Sequence, residues 1–234
     1  MKTCIAAAFS LLWCGWVTAA PYPTEVQFRA AIEDAAKLVQ AEGLNLEVFD
    51  AQKVGLERPL LAARLSLESG NCLIFYNTKP EDGLIQYFET VTASDLPVLL
   101  RAIALHEATH CIEQREAYVR KRFDKVLPPG FRGDNVTVQS YRSAVESGAL
   151  ETWGEALADI ASLLYLKQAT PDQWLELAKG VAGMRRDLAR KWPAHDTSPW
   201  LYKVIAAEAG ANSTAGQSLF EIAFQLRRQY RPGD

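Results

Sequence analysis

The run at residues 105–110, Leu-His-Glu-Ala-Thr-His, is the feature that most constrains how this chain folds. Leu99, Ile103, His106 and His110 recur at helical spacing, which predicts that a single helix presents them on one face. Both histidines then continue the buried apolar stripe of that helix instead of pointing into open solvent. The chain has only 3 histidines in 234 residues, so two adjacent imidazoles in a helical core strongly restrict its function.

Two histidines four residues apart on a helix can bind one Zn²⁺ through their imidazoles. Glu107 lies between them, where its carboxylate can take a proton from water and pass it to a leaving group. The pattern therefore predicts a zinc-dependent hydrolase with His106 and His110 as ligands and Glu107 as general base. The alternative interpretation is a helical scaffold in which both histidines are simply buried.

A catalytic zinc site needs a third protein ligand. A third histidine six residues after His110 is absent, because a glutamate stands there, and the only histidine outside the motif is His195. We therefore expect a carboxylate from another helix. Glu155 is the best candidate, with Asp159 four residues further on the same face, and Glu151, one turn earlier, is the alternative ligand.

The Glu-x-x-x-Asp element of Glu155 and Asp159, downstream of His-Glu-x-x-His, resembles the gluzincin peptidases, which share the thermolysin-like arrangement. The resemblance covers two short motifs. It implies Glu155 as the third zinc ligand and Asp159 as the acceptor that holds a ligating histidine in one tautomer. It also implies hydrolysis of peptide bonds by a zincin-like domain.

Stabilising the tetrahedral intermediate of such a reaction requires a hydrogen-bonding or positive group opposite the metal. His195 is the candidate, on a predicted loop between helices where Asp196 can raise its pKa. Gluzincins often use a downstream histidine in this role. Tyr202 is an alternative donor, and an ordinary loop histidine is the alternative interpretation of His195.

Periodicity elsewhere predicts a small sheet ahead of the metal-binding helix and more helices after it. Strands are predicted at 60–67, 72–76 and 84–89. Helices are predicted at 24–42, 95–122, 140–166, 170–191 and 217–228. We expect the α+β class, helix-dominant, with a small and mostly antiparallel sheet. Residues 71–77 are either an edge strand that pairs with an extended substrate or a core strand.

Residues 1–20 have the pattern of a secretory signal peptide: a lysine, an apolar stretch and then small residues. An uncleaved membrane anchor is the alternative. Cleavage would leave residues 21–234 as a single catalytic domain, secreted or periplasmic. The remaining cysteines, Cys72 and Cys111, are expected to form a disulfide, although two buried free thiols are also compatible with the sequence.

The net charge of −3 argues against nucleic acid as a partner, because no basic surplus exists to displace counterions. The expected partner is a peptide or protein substrate, and we expect a monomer without stable membrane insertion after signal cleavage. A zinc hydrolase of another amide bond and a metal-binding module without turnover are the competing functions.

Overall fold

A computed structural model describes residues 22–56, 60–79, 82–131, 136–210 and 216–232, so the predicted signal peptide at 1–20 lies outside the described residues. Within these ranges the chain forms nine α-helices and one three-stranded sheet, the helix-dominant α+β class that the sequence predicts. The elements in chain order are α1 (Glu25–Ala41), β1 (Leu46–Asp50), β2 (Leu61–Leu65), β3 (Cys72–Tyr76), α2 (Asp82–Thr90), α3 (Leu96–Tyr118), α4 (Phe123–Val126), α5 (Val138–Glu146), α6 (Glu151–Ala169), α7 (Trp174–Leu188), α8 (Ser198–Glu208) and α9 (Leu219–Gln229). Among the described helices, none combines the length and the apolar character needed to cross a membrane.

Helix α3 is the central element of the core. It packs against α1 and β2 on one side and against α6 on another. Its buried residues lie on more than one face, which is typical of a helix surrounded by other elements. Helix α6 also packs against α9, α7 and α8, so α3 and α6 together form the frame to which the other helices attach.

Helix α1 confirms the helix predicted at 24–42. The Thr24 hydroxyl accepts from the Gln27 backbone N–H, and the Gln27 side chain accepts from the Thr24 backbone N–H, which completes a capping box. Phe28 and Ile32 of this helix are fully buried. Gly43 follows the helix in the left-handed conformation, with φ of 77°, which a glycine adopts without steric cost.

The sheet has the strand order β1-β3-β2. Strand β3 pairs parallel with β1 and antiparallel with β2, so the prediction of a mostly antiparallel sheet was wrong. Because β3 is the central strand, the edge-strand interpretation of residues 71–77 was also wrong. Both neighbouring strands occupy the hydrogen-bonding positions that an extended substrate would need.

The predicted strand at 84–89 was wrong, because these residues belong to helix α2. Ile85 and Phe88 are three residues apart, a spacing that places both on one helical face. Phe88 is buried in the core and stacks edge-on against Tyr22 and Tyr87. A short apolar run fits both the helical and the strand periodicity, and here packing against the core favours the helix.

The helix predicted at 140–166 is two helices, α5 and α6, separated by residues 147–150. Gly148 between them has a φ of 75°, which breaks the helical path. Thr170 caps the end of α6 instead of opening the next helix, and α7 begins only at Trp174. The break at Gly148 makes Glu151 the first residue of α6.

A disulfide joins Cys72 of β3 to Cys111 of α3, as the sequence predicts, and both residues are fully buried. Cys111 directly follows His110. The bridge therefore attaches the helix that carries the two histidines to the central strand of the sheet.

Replacing both cysteines with alanine is expected to lower the free energy of unfolding by roughly 3–4 kcal/mol. The reason is that the bridge closes a loop with a sequence separation of 39 and so restricts the unfolded chain. Urea denaturation of the double variant and of the parent measures the difference. Denaturation of the parent under reducing conditions is the control and should match the variant. A loss below about 1 kcal/mol would show that the bridge contributes little.

Candidate metal centre

Three side chains from the two central helices converge at one point. The Nε2 atoms of His106 and His110 are 3.3 Å apart. Glu155 of α6 places Oε2 at 3.4 Å from Nε2 of His106 and Oε1 at 3.3 Å from Nε2 of His110. These three residues form the group of metal-ligand type found among the described residues, so the structure brings together the three ligands that the sequence predicts.

The dimensions of this group fit a small tetrahedral ion. With Zn–N and Zn–O bonds of about 2.0–2.1 Å, two tetrahedral ligand atoms lie about 3.3 Å apart. The two Nε2 atoms, 3.3 Å apart, match that value, and each of them lies 3.3–3.4 Å from one oxygen of Glu155, Oε2 for His106 and Oε1 for His110. Two imidazoles and one carboxylate are also a donor set that catalytic zinc sites use. The residues present therefore fit a tetrahedral metal site with one position open.

Asp159 fixes the orientation of His106. Its Oδ1 lies 2.8 Å from Nδ1 of His106, so Nδ1 is the nitrogen that carries the proton and Nε2 keeps its lone pair toward the ligand group. The other oxygen, Oδ2, accepts a hydrogen bond from the hydroxyl of Thr197. Both contacts are buried. They support the predicted role of Asp159, which is to hold a ligating histidine in one tautomer without contacting the metal itself.

Arg185 of α7 is a site residue that the sequence interpretation missed. Its Nη2 lies 2.7 Å from Oδ1 of Asp159 and 3.1 Å from Oε2 of Glu155, and 3.3 Å from both ring nitrogens of His106. A sequence signal did exist, because Arg185 follows Ala178 and Ala182 on the buried face of α7. A basic residue on an apolar stripe indicates a buried partner.

The electrostatic balance of the site favours a divalent cation. Three carboxylates (Glu107, Glu155, Asp159) and the guanidinium of Arg185 leave two negative charges when the histidines are neutral. Burial by itself lowers the pKa of His106, but the charges of Asp159 and Glu155 outweigh it and raise the pKa to about 10. A site that stabilises a proton on His106 so strongly also stabilises other positive charge. A dication would balance the two negative charges of the site.

Glu107 lies beside the ligand group without joining it. Its Oε1 is 4.0 Å from Nε2 of His106. Burial raises the pKa of Glu107, and the charge of Glu155 adds to this effect, although the two histidines oppose it. A carboxylate whose pKa is raised accepts a proton more readily, which suits a general base.

His195 reaches the site from a short 3₁₀ helix, Pro193–His195, and not from an irregular loop. Its Nδ1 lies 3.4 Å from Oε2 of Glu155, and its Nε2 lies 2.9 Å from Oε1 of Glu151. The pKa of His195 is raised, chiefly by the contact with Glu155. Asp196 is not the cause, since its carboxylate accepts from the backbone N–H and hydroxyl of Ser198 at the start of α8.

The two remaining alternatives lie outside the ligand group. Glu151 is half-exposed and pairs with His195, one turn before Glu155. Tyr202 is exposed on α8. The geometry therefore favours Glu155 over Glu151 as the third ligand and His195 over Tyr202 as a polar group near the site.

Asp159→Asn is expected to weaken zinc binding about 10- to 100-fold, because the amide accepts more weakly from Nδ1 of His106 and cannot balance Arg185. Competition with a chelating dye measures the dissociation constant. Asp196→Asn is the matched control, since Asp196 accepts from Ser198 at the start of α8 and touches none of the three candidate ligands, and it should leave the affinity within about twofold. An unchanged affinity in Asp159→Asn would contradict the orienting role.

Comparison with known proteins gave no relative: no protein-family model, no curated protein and no solved structure matches this chain. Function at this site therefore has to be inferred from its geometry and chemistry.

Proposed function

We propose that this protein is an exported, zinc-dependent metallopeptidase of the gluzincin type. The observation that carries the proposal is the convergence of His106, His110 and Glu155: the two Nε2 atoms are 3.3 Å apart, and each lies 3.3–3.4 Å from an oxygen of Glu155, spacings that suit tetrahedral zinc. Glu107 adds a carboxylate that is not needed to hold the metal. Together they supply a ligand set and a general base in one buried cleft.

In this proposal the chain's own residues handle the protons. Bound zinc supplies Lewis-acid chemistry: it polarises a carbonyl and makes water a better acid at neutral pH. Glu107 takes the proton from the attacking water and later delivers it to the leaving amine. His195, with its raised pKa, donates a hydrogen bond to the developing oxyanion when one of its ring nitrogens releases its contact with Glu151 or Glu155. Arg185 and Asp159 keep His106 in the ligating tautomer throughout.

Two features favour a peptidase outside the cytoplasm over the competing functions. The Cys72–Cys111 disulfide and the signal-like residues 1–20 suit an oxidising compartment. A metal-binding module without turnover, or a purely structural zinc site, has no use for Glu107 beside the open position. A zinc hydrolase of another amide bond would use the same residues, and the choice of substrates distinguishes it.

The decisive experiment offers residues 21–234 a degenerate peptide mixture and detects cleavage by mass spectrometry. We expect cleavage that a chelator abolishes and that about one equivalent of zinc restores. A non-peptide amide panel run in parallel identifies the competing hydrolase. A zinc-loaded, folded protein that cleaves no peptide would contradict the peptidase proposal.

A further inference from the structure

A cavity of about 160 Å³ lies directly beside the candidate metal centre. His110 and Glu155 of the candidate centre line it, and Tyr141, Val145 and Leu150 contribute apolar surface. Gly148, at the break between α5 and α6, also lines the cavity. A substrate held at the metal centre would place an adjoining side chain in the cavity.

Gly154 keeps the cavity open next to the ligands. A Cβ atom added there would lie 3.2 Å from Oε2 of Glu113 and 4.0 Å from Nδ1 of His110. Any larger side chain would therefore press against the carboxylate of Glu113. The missing side chain leaves that carboxylate within reach of a ligand.

Glu113 offers a free hydrogen-bond acceptor to the cavity. Only 6% of the residue is exposed. Its Oε1 accepts from Nη1 of the fully buried Arg227 at 2.6 Å. Its Oε2 accepts no hydrogen bond within the described part of the chain. Because this oxygen belongs to a nearly buried residue, is accessible from the cavity and has no protein donor among the described residues, it favours a ligand that brings a donor.

The charges around the cavity select the kind of donor. Among the described residues that line it, three are glutamates (Glu113, Glu151, Glu155) and none is lysine or arginine. When Glu155 binds a metal ion, Oε2 of Glu113 and the carboxylate of Glu151 still face the cavity, although Arg227 balances part of the charge of Glu113 from behind Oε1 and His195 contacts Glu151. An acidic substrate side chain would be repelled, and a cationic one attracted.

Size and apolar walls narrow the choice further. A cavity of about 150 Å³ accommodates benzene, so this one has room for roughly six heavy atoms. A lysine side chain has a similar size, with an apolar stem and an ammonium donor at its end. His110 and Glu113, three residues apart on α3, face the same side of the helix, so the stem can run from the metal centre to Glu113.

We propose that this cavity is a specificity pocket in which Glu113 binds an ammonium group of the substrate, carried on a short apolar stem beside the bond to be cleaved. The proposal rests on the peptidase function proposed above. A lysine side chain and the free amino terminus of a peptide share this chemistry, and the test separates the two.

The test measures peptide binding by calorimetry to the Glu107→Gln variant in zinc-containing buffer, so that no turnover is required. Four peptide pools with blocked termini carry lysine, ε-acetyl-lysine, norleucine or glutamate at one fixed position. A fifth pool has a free amino terminus and no lysine. We expect the lysine pool to bind at least about tenfold more tightly than the acetyl-lysine and norleucine pools, with glutamate weakest. A preference for the fifth pool instead would assign the ammonium to the amino terminus.

Two further substitutions, made in the same Glu107→Gln background, locate the selectivity. Glu113→Gln is expected to abolish the preference for lysine over norleucine, but it also weakens the buried pair with Arg227. Val145→Lys avoids that risk, because Val145 is 38% exposed at the cavity. The introduced ammonium should reverse the ranking of the lysine and glutamate pools, and Val145→Gln is its neutral control.

Equal binding of lysine and norleucine pools, or no measurable binding of any pool, would overturn the pocket. Hydrolysis by the parental protein is scored separately. Lysine-selective binding without any cleavage would support the pocket and reject the peptidase function. Cleavage without a preference for the ammonium group would support the peptidase function and reject the pocket.

Discussion

Glu107→Gln is expected to keep the bound metal and to lower kcat by about 10²- to 10⁴-fold, the usual contribution of a general base. The three ligand side chains are untouched, and glutamine has nearly the same size as glutamate. The amide cannot take a proton from water. Elemental analysis and peptide hydrolysis on the same preparation measure the two effects together.

Glu33→Gln, an exposed glutamate on α1, is the matched control and should change neither quantity. Hydrolysis by Glu107→Gln at the parental rate would reject Glu107 as the base. Loss of the metal along with activity would instead assign Glu107 to the ligand set, at variance with its distance of 4.0 Å from Nε2 of His106.

Glu155→Ala is expected to weaken zinc binding by well over about 100-fold. This is more than the loss expected when a residue that only contacts a ligand, such as Asp159, is substituted. The substitution removes one of three ligands and also leaves Arg185 with one carboxylate fewer. Glu151→Ala should change the affinity by less than about threefold, because Glu151 contacts His195 and not the metal-ligand atoms. The same dye competition measures both.

The two variants differ by one helical turn, so each serves as the control for the other. Because Glu155 is nearly buried, circular dichroism should confirm that its variant stays folded, and Glu155→Gln provides a less disruptive replacement. A larger loss in Glu151→Ala than in Glu155→Ala would move the third ligand one turn toward the start of α6.

The sequence predicts the grouping of His106, His110 and Glu155 because these residues follow local helical spacing. His106 and His110 are four residues apart, as are Glu155 and Asp159, and each pair shares one helical face. The convergence of the two faces follows from the apolar stripes beside them, which pack α3 against α6. The capping box of Thr24 and Gln27 is a similar local pattern.

Features set by tertiary contacts were harder to predict. Strand β1 was not among the predicted strands. All five of its residues are only partly buried, and its parallel pairing with β3 is a tertiary contact that no local pattern shows. The contacts of Arg185 depend on how α7 packs beside α6. The cause of the raised pKa of His195 likewise lies in Glu155, 40 positions earlier in the chain, and not in the adjacent Asp196.

Metal content tests the central claim most directly. Elemental analysis of purified residues 21–234, beside the His106→Ala variant, should find about one zinc per chain in the parent and little in the variant. That result would establish the site on which the peptidase proposal and the Glu113 pocket both rest. A folded parent that takes up no metal after zinc is offered would contradict the account and leave a buried histidine pair.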